Sequence, residues 1–167
     1  LTSPGEAVVI QEPVYFPFRQ AVERNGRSVA VNPLISESGG RTRMDYPGLE
    51  NLLEETDARL LLLCSPHNPV SRVWSRKELE KLVKICLRHR IIILSDEIHH
   101  DLVYPGAKHL VTEMVAPELS HRIITAVAAT KTFNLAGAHV GGIIIPDDAR
   151  RARFREMVNR SGLGSQN

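Results

Sequence analysis

Residues 91–104 read IIILSDEIHHDLVY. Four apolar residues, three of them β-branched, run without a polar break and then meet two carboxylates. A run this short, apolar on both faces, predicts a strand buried inside a parallel sheet rather than a strand with one wet side. Asp96 follows after one residue, Ser95. A carboxylate at the tip of a buried strand is costly to ionise unless it meets a positive partner.

The same grammar repeats on either side. Residues 7–10, 28–31, 59–64, 122–126 and 140–145 predict further strands. Helices are predicted between them, at 16–25 with Gly26 as stop signal and at 46–55 with Leu49, Leu52 and Leu53 on one face. Ser75-Arg76-Lys77-Glu78 has the spacing of a capping box. It opens a helix whose apolar stripe is Leu79, Leu82, Val83, Ile85, Cys86 and Leu87. Pro146-Asp147-Asp148 begins a basic amphipathic helix that runs to about Arg160. Strands separated by helices imply an α/β fold, a three-layer α/β/α sandwich around a mostly parallel sheet. The gap from Ala126 to Val140 is too short for an ordinary helical crossover, so the last strand is expected to run antiparallel.

Composition narrows the function classes. Lys and Arg total 21 against 19 Asp and Glu, a net charge of +2 that gives no reason to expect nucleic acid or an anionic membrane as partner. The longest apolar runs, at 60–64 and 91–94, are far too short to span a bilayer. Cys64 and Cys86 sit in apolar stretches and read as buried free thiols, which suits a reducing cytosol; a disulfide is the alternative. The 167 residues suggest one domain. They open without Met, directly into a strand, and residues 161–167 offer no closing element, so a piece of a longer chain is expected. No GxGxxG or GxxxxGKS string follows any strand, which speaks against a nucleotide-binding domain.

In sheets of this kind the active residues lie just past the carboxyl ends of the strands. Three polar segments occupy that position, at 65–74, 95–104 and 128–137. In the first, Asn68 can donate a side-chain hydrogen bond at a strand tip, or with Pro69 it is only a turn former. In the second, Asp96 can meet a protonated pyridine nitrogen, cap the following turn, or pair with an Arg. A metal held by Asp96, His99, His100 and Asp101 is a minor alternative, because the spacing is not that of HExxH. In the third, Lys131 lies among small and apolar residues. Burial there would lower its pKa toward neutrality, which suits an amine that forms a Schiff base and later takes a proton. A surface loop lysine is the alternative. Thr130 and Thr132 offer hydroxyls for a phosphate.

Four segments carry a resemblance: PVYFPF (13–18), CSPHNPVSRVW (64–74), SDEIHHDLVYPGAKH (95–109) and KTFNLAG (131–137). The chain resembles, over nearly its whole length, the fold-type-I enzymes that use pyridoxal 5′-phosphate (PLP), in the class I/II aminotransferase superfamily. Within them it is similar to the MalY/PatB group of cystathionine β-lyases, or C–S lyases. The resemblance implies that Lys131 bonds the cofactor and shuttles the substrate Cα proton, and that Asp96 pairs with the ring nitrogen. It also implies that Asn68 meets the ring hydroxyl oxygen, that His99 approaches the same oxygen, that Tyr15 stacks on the ring and that Thr130 contacts the phosphate.

Three departures stand out: Ser71 replaces a usual Gly, Ala129-Thr130 replaces Pro-Ser, and His139 stands where many aminotransferases carry Arg. The implied activity is α,β-elimination on a cystathionine- or cysteine-type amino acid. An aminotransferase is the first alternative; a non-catalytic remnant or protein-interaction module is the second. The implied setting is a cytoplasmic homodimer. Residues 1–167 would be a partial large domain lacking an amino-terminal segment and a carboxyl-terminal small domain, and inactive alone.

Overall fold

The structure is a computed structural model that describes residues 1–162; the expectation about the end of the chain falls partly on residues 163–167, outside those described. The strands are β1 (Ala7–Ile10), β2 (Ser28–Val31), β3 (Ile35–Ser36), β4 (Thr42–Arg43), β5 (Leu60–Cys64), β6 (Ile92–Asp96), β7 (Ile123–Val127) and β8 (Gly142–Ile144). The helices are α1 (Pro17–Arg24), α2 (Tyr46–Glu55), α3 (Arg76–Arg88), α4 (Ala129–Thr132) and α5 (Asp148–Arg160). The main sheet has the order β2-β1-β5-β6-β7-β8. Its pairs are parallel except β7 with β8, which is antiparallel as the short connection required. The small β3–β4 hairpin and the short helix α4 carry no period that the sequence reading picked up.

Alternation along each strand sends side chains to both faces of the sheet. Val9, Leu61, Leu63, Ile93 and Ile123 pack with Leu49 and Leu53 of α2 and Leu79, Leu82 and Ile85 of α3. Val8 and Leu60 pack on the other face with Val22 of α1, beside Leu62, Ile92 and Leu94. Helices therefore cover both faces, and the three-layer α/β/α sandwich stands. Each fully buried Leu or Ile contributes about 1.5–3 kcal/mol relative to exposure. The second face is the thinner one, with Ile143, Phe154 and Met157 left exposed.

Local signals set the helix ends. Ser75 accepts from the Glu78 N–H at 3.3 Å while the Glu78 carboxylate accepts from the Ser75 N–H at 2.8 Å, completing the predicted capping box. Asp45 caps α2 by accepting from the Gly48 N–H, and Asp147 caps α5 by accepting from the Arg150 N–H.

Ser71 has φ 53°, a left-handed conformation that favours glycine. The Cβ penalty there is about 1–2 kcal/mol, partly offset by the larger unfolded-state entropy of glycine, about 0.4–1 kcal/mol. Ser71→Gly is expected to raise stability by about 0.5–1 kcal/mol, read as a higher urea midpoint with an unchanged slope. A lower midpoint would show that the Ser71 side chain contributes more than its backbone costs.

Candidate active site

β5, β6 and β7 are parallel and in register, with Cys64 opposite Asp96 and Asp96 opposite Ala126. Adjacent strands lie about 4.8 Å apart, so the loops that follow these tips converge on one edge of the sheet. The three polar segments picked out in the sequence are those loops.

The loop after β5 is held rigidly. The Trp74 indole N–H donates to the Cys64 carbonyl at 2.9 Å, and the His67 N–H donates to the Arg72 carbonyl at 2.7 Å. Arg72 lies over the Trp74 ring at 5.1 Å and pairs with Glu78 at 2.6 Å, so the loop is fastened to the start of α3. The Asn68 N–H donates to Cys64 Sγ at 3.3 Å. Burial pushes the Cys64 thiol up to about 12, so it stays protonated beside the Asp96 tip. Asn68 is thereby fixed at the sheet edge with its side chain half-buried. His67 is buried and its Nε2 lies 2.9 Å from the Pro13 carbonyl oxygen. That contact ties the segment after β1, which carries Tyr15, to the Asn68 loop. Tyr15 is exposed, its ring 5.7 Å from Phe16 and 6.2 Å from Phe18.

Asp96 and Glu97 are consecutive carboxylates with opposite fates. Glu97 turns inward and is 1% exposed. Its Oε1 accepts from the Ser95 hydroxyl at 2.8 Å and the Thr112 N–H at 2.9 Å, and its Oε2 lies 2.7 Å from His109 Nε2. Burial alone would raise its pKa, but the His109 pair and the Thr112 and Ser95 hydrogen bonds outweigh it and hold Glu97 below the usual range. Asp96 faces the loops. Its carboxylate's only hydrogen bond among the described residues is from the Ile98 N–H at 3.3 Å, which is the turn cap considered above. Burial raises its pKa, against the opposing pull of that N–H and of the charges on His99 and Lys131. A partly buried carboxylate with one long hydrogen bond is an acceptor short of a partner.

His99 and Lys131 belong to the same electrostatic cluster. Burial lowers the pKa of His99, Lys131 lowers it further, and Asp96 opposes both. Lys131 sits on α4, the single turn that follows β7. Here the structure corrects the sequence reading: Lys131 is exposed, not buried. The apolar neighbours expected to enclose it are themselves exposed, Phe133 at 67% with Leu135 and Val140 alike, because no described segment packs over them. Thr130 is half-buried on the same turn, and His139 is exposed with φ 50°.

A depression of about 760 Å³ joins the first two loops and is lined by Asn68, Ser71, Arg72, His99, Asp101 and Tyr104 among others. Asn68 and His99 thus share one cavity. The charges of Asp96 and Lys131 act on His99, which lines it, while Tyr15 and Thr130 do not line it. The sequence reading missed Glu97 and His109. The burial argument applied to Asp96 held equally for the next residue, but its partner lies 12 positions on in an irregular segment. Among the described residues no group of His, Cys, Asp and Glu is placed to hold a metal, and both cysteines are free and buried.

Known proteins align with this arrangement. Cystathionine β-lyase PatB of Bacillus subtilis (strain 168) is 44% identical over 166 residues, 99% of this chain and 43% of the relative. Protein MalY of Escherichia coli (strain K12) is 37% identical over 164 residues, 96% of this chain and 40% of the relative. The crystal structure of cystalysin from Treponema denticola, which contains a pyridoxal 5′-phosphate cofactor, superposes with a TM-score of 0.88 at 40% identity, over 92% of this chain and 39% of that one. The chain therefore spans about 40% of the length of these relatives. The family described as aminotransferase class I and II matches residues 1–165, and with its strand order, sheet-edge loops and sequence identity this chain belongs to that family.

Proposed function

We propose that this chain is the cofactor-binding core of a PLP-dependent C–S β-lyase that acts on cystathionine- or cysteine-type amino acids. The observation that carries the proposal is the cluster of Asp96, His99 and Lys131 at the tips of β6 and β7, with Asn68 across the shared cavity. The residues fit PLP on their own chemistry. Asp96 is an acceptor lacking a strong donor, and a protonated pyridine nitrogen supplies one. Lys131 is an amine on an exposed turn, open to a carbonyl carbon. When bound, the cofactor supplies an electron sink for the substrate α-carbon.

Asp96 would pair with the ring nitrogen and favour its protonated form. Asn68 would donate its side-chain N–H to the ring hydroxyl oxygen, and His99, whose pKa burial lowers, would approach the same atom. Tyr15 would stack on the ring, and Thr130 would offer its hydroxyl to the phosphate. Lys131 anchors the cofactor and then takes the proton from the substrate α-carbon. The Cβ–S bond breaks, the thiol leaves, and water converts the remainder to pyruvate and ammonia. The buried free thiols suit a cytoplasmic setting, and a homodimer is the assembly proposed. On this reading residues 1–167 form part of a large domain, completed in the longer protein by an amino-terminal segment and a small carboxyl-terminal domain.

Transamination is the second reading, favoured by the family description itself. The test uses full-length protein with PLP and cystathionine. Borohydride reduction is expected to fix the cofactor to Lys131, and pyruvate is expected without accumulation of pyridoxamine phosphate. An adduct on another lysine would overturn the site; pyridoxamine accumulation would replace the lyase by an aminotransferase.

A further inference from the structure

The turn that carries Lys131 is poorly anchored by packing. α4 is four residues long and buries none of them. Its carbonyls are used locally, by the N–H groups of Phe133 and Leu135. Among the described residues, one side-chain hydrogen bond joins α4 to a distant part of the chain: the Thr132 hydroxyl donates to Asp101 Oδ2 at 2.8 Å. Thr132 directly follows Lys131.

Asp101 is itself held. Its Oδ2 lies 3.2 Å from His100 Nε2, and His100 Nδ1 lies 2.8 Å from the Glu97 carbonyl oxygen. A carbonyl only accepts, so Nδ1 carries the hydrogen in the contact with Glu97. Glu97 is the fixed end of this series. Its N–H donates to the Ala126 carbonyl of β7 at 2.9 Å, and its side chain is locked by Ser95, Thr112 and His109. A series of close contacts thus runs from the buried edge of the sheet to the turn bearing Lys131. It starts one residue from Asp96 and ends one residue from Lys131.

We propose that Asp101 is a positioning residue: by holding Thr132 it sets where the Lys131 amine stands relative to Asp96. The inference rests on the reading of Lys131 as the cofactor-bearing lysine. In this role Asp101, which also lines the cavity, acts through Thr132 rather than on the substrate or cofactor. It narrows the range of positions open to the α4 turn, so the amine spends more of its time where it reacts.

The test is a double-mutant cycle in the full-length protein, following PLP affinity through the visible absorbance of its adduct, and kcat and KM with cystathionine. Asp101→Ala and Thr132→Val are each expected to weaken PLP binding and lower kcat by about three- to tenfold. KM stays within about twofold, because no substrate contact is lost. The double variant is expected to be no worse than either single one. Thr132→Ser and Asp101→Asn, which each keep the hydrogen bond, are expected to stay near wild type. Both positions are near the surface, so folded protein is expected throughout and is checked by thermal unfolding. If wild-type protein forms no adduct at Lys131, the lyase reading falls and this inference with it. If wild type forms the adduct while Asp101→Ala and Thr132→Val match it, or their effects simply add, the positioning role is overturned and the lyase reading stands.

Discussion

Lys131→Ala in the full-length protein abolishes the visible absorbance of bound PLP and the borohydride-stable adduct, and lowers kcat/KM by at least about 10²–10⁴-fold. Two functions disappear together, the covalent anchor and the base for the α-proton. Lys131→Arg is expected to lose as much, because a guanidinium keeps the charge but remains protonated and cannot form the bond. Asp96→Asn behaves differently. The lysine is intact, so the adduct still forms, but the charge that keeps the ring nitrogen protonated is gone, and kcat is expected to fall by about 10²–10³-fold. Absorbance spectra and steady-state rates on the three variants separate these outcomes. Full activity in Lys131→Ala would remove this residue from the mechanism.

Glu97→Ala is expected to destabilise the protein by about 3–5 kcal/mol. The substitution leaves the His109 ring, the Ser95 hydroxyl and the Thr112 N–H without their acceptor in a buried place. Domains of this size are stable by about 5–15 kcal/mol, so the loss takes a large share. The pair also makes stability depend on pH. The folded pKa of Glu97 lies below its ordinary 4.5 because the His109, Thr112 and Ser95 partners overcome the cost of burial. A depressed carboxylate contributes stability that is fully present above the unfolded pKa and is lost as pH falls through the folded one. Wild-type unfolding free energy is therefore expected to drop with acidification below 4.5, and Glu97→Gln to flatten that drop. Urea unfolding between pH ~3 and ~6 reads the two slopes. Equal slopes would show that another group carries the acid sensitivity.

The two carboxylates at the end of β6 show how far local reasoning reaches. Both follow the same apolar run, and the cost of burying a charge is legible from that run alone. What satisfies each charge is not. Glu97 found His109, 12 residues on across a segment with no helix or strand period, while Asp96 remains without a strong donor. Lys131 shows the reverse error. Its small and apolar neighbours suggested burial, yet Phe133 and Leu135 face solvent with it. Apolar character in a loop says that a residue prefers cover; whether cover exists depends on segments far away in the chain.

The strands of the main sheet, the main helices and the capped start of α3 were legible in the order of residues, because apolar period and capping chemistry are local signals. The antiparallel β8 was also expected from there, since the gap from Ala126 to Val140 is short for an ordinary helical crossover. Packing decided what lies beyond that range. It joined Pro13 to His67, turned Glu97 inward and Asp96 outward, and reached from Asp101 to Thr132. Those pairs are separated by tens of residues or belong to irregular loops, where side-chain direction follows only once the sheet has brought the strand tips together.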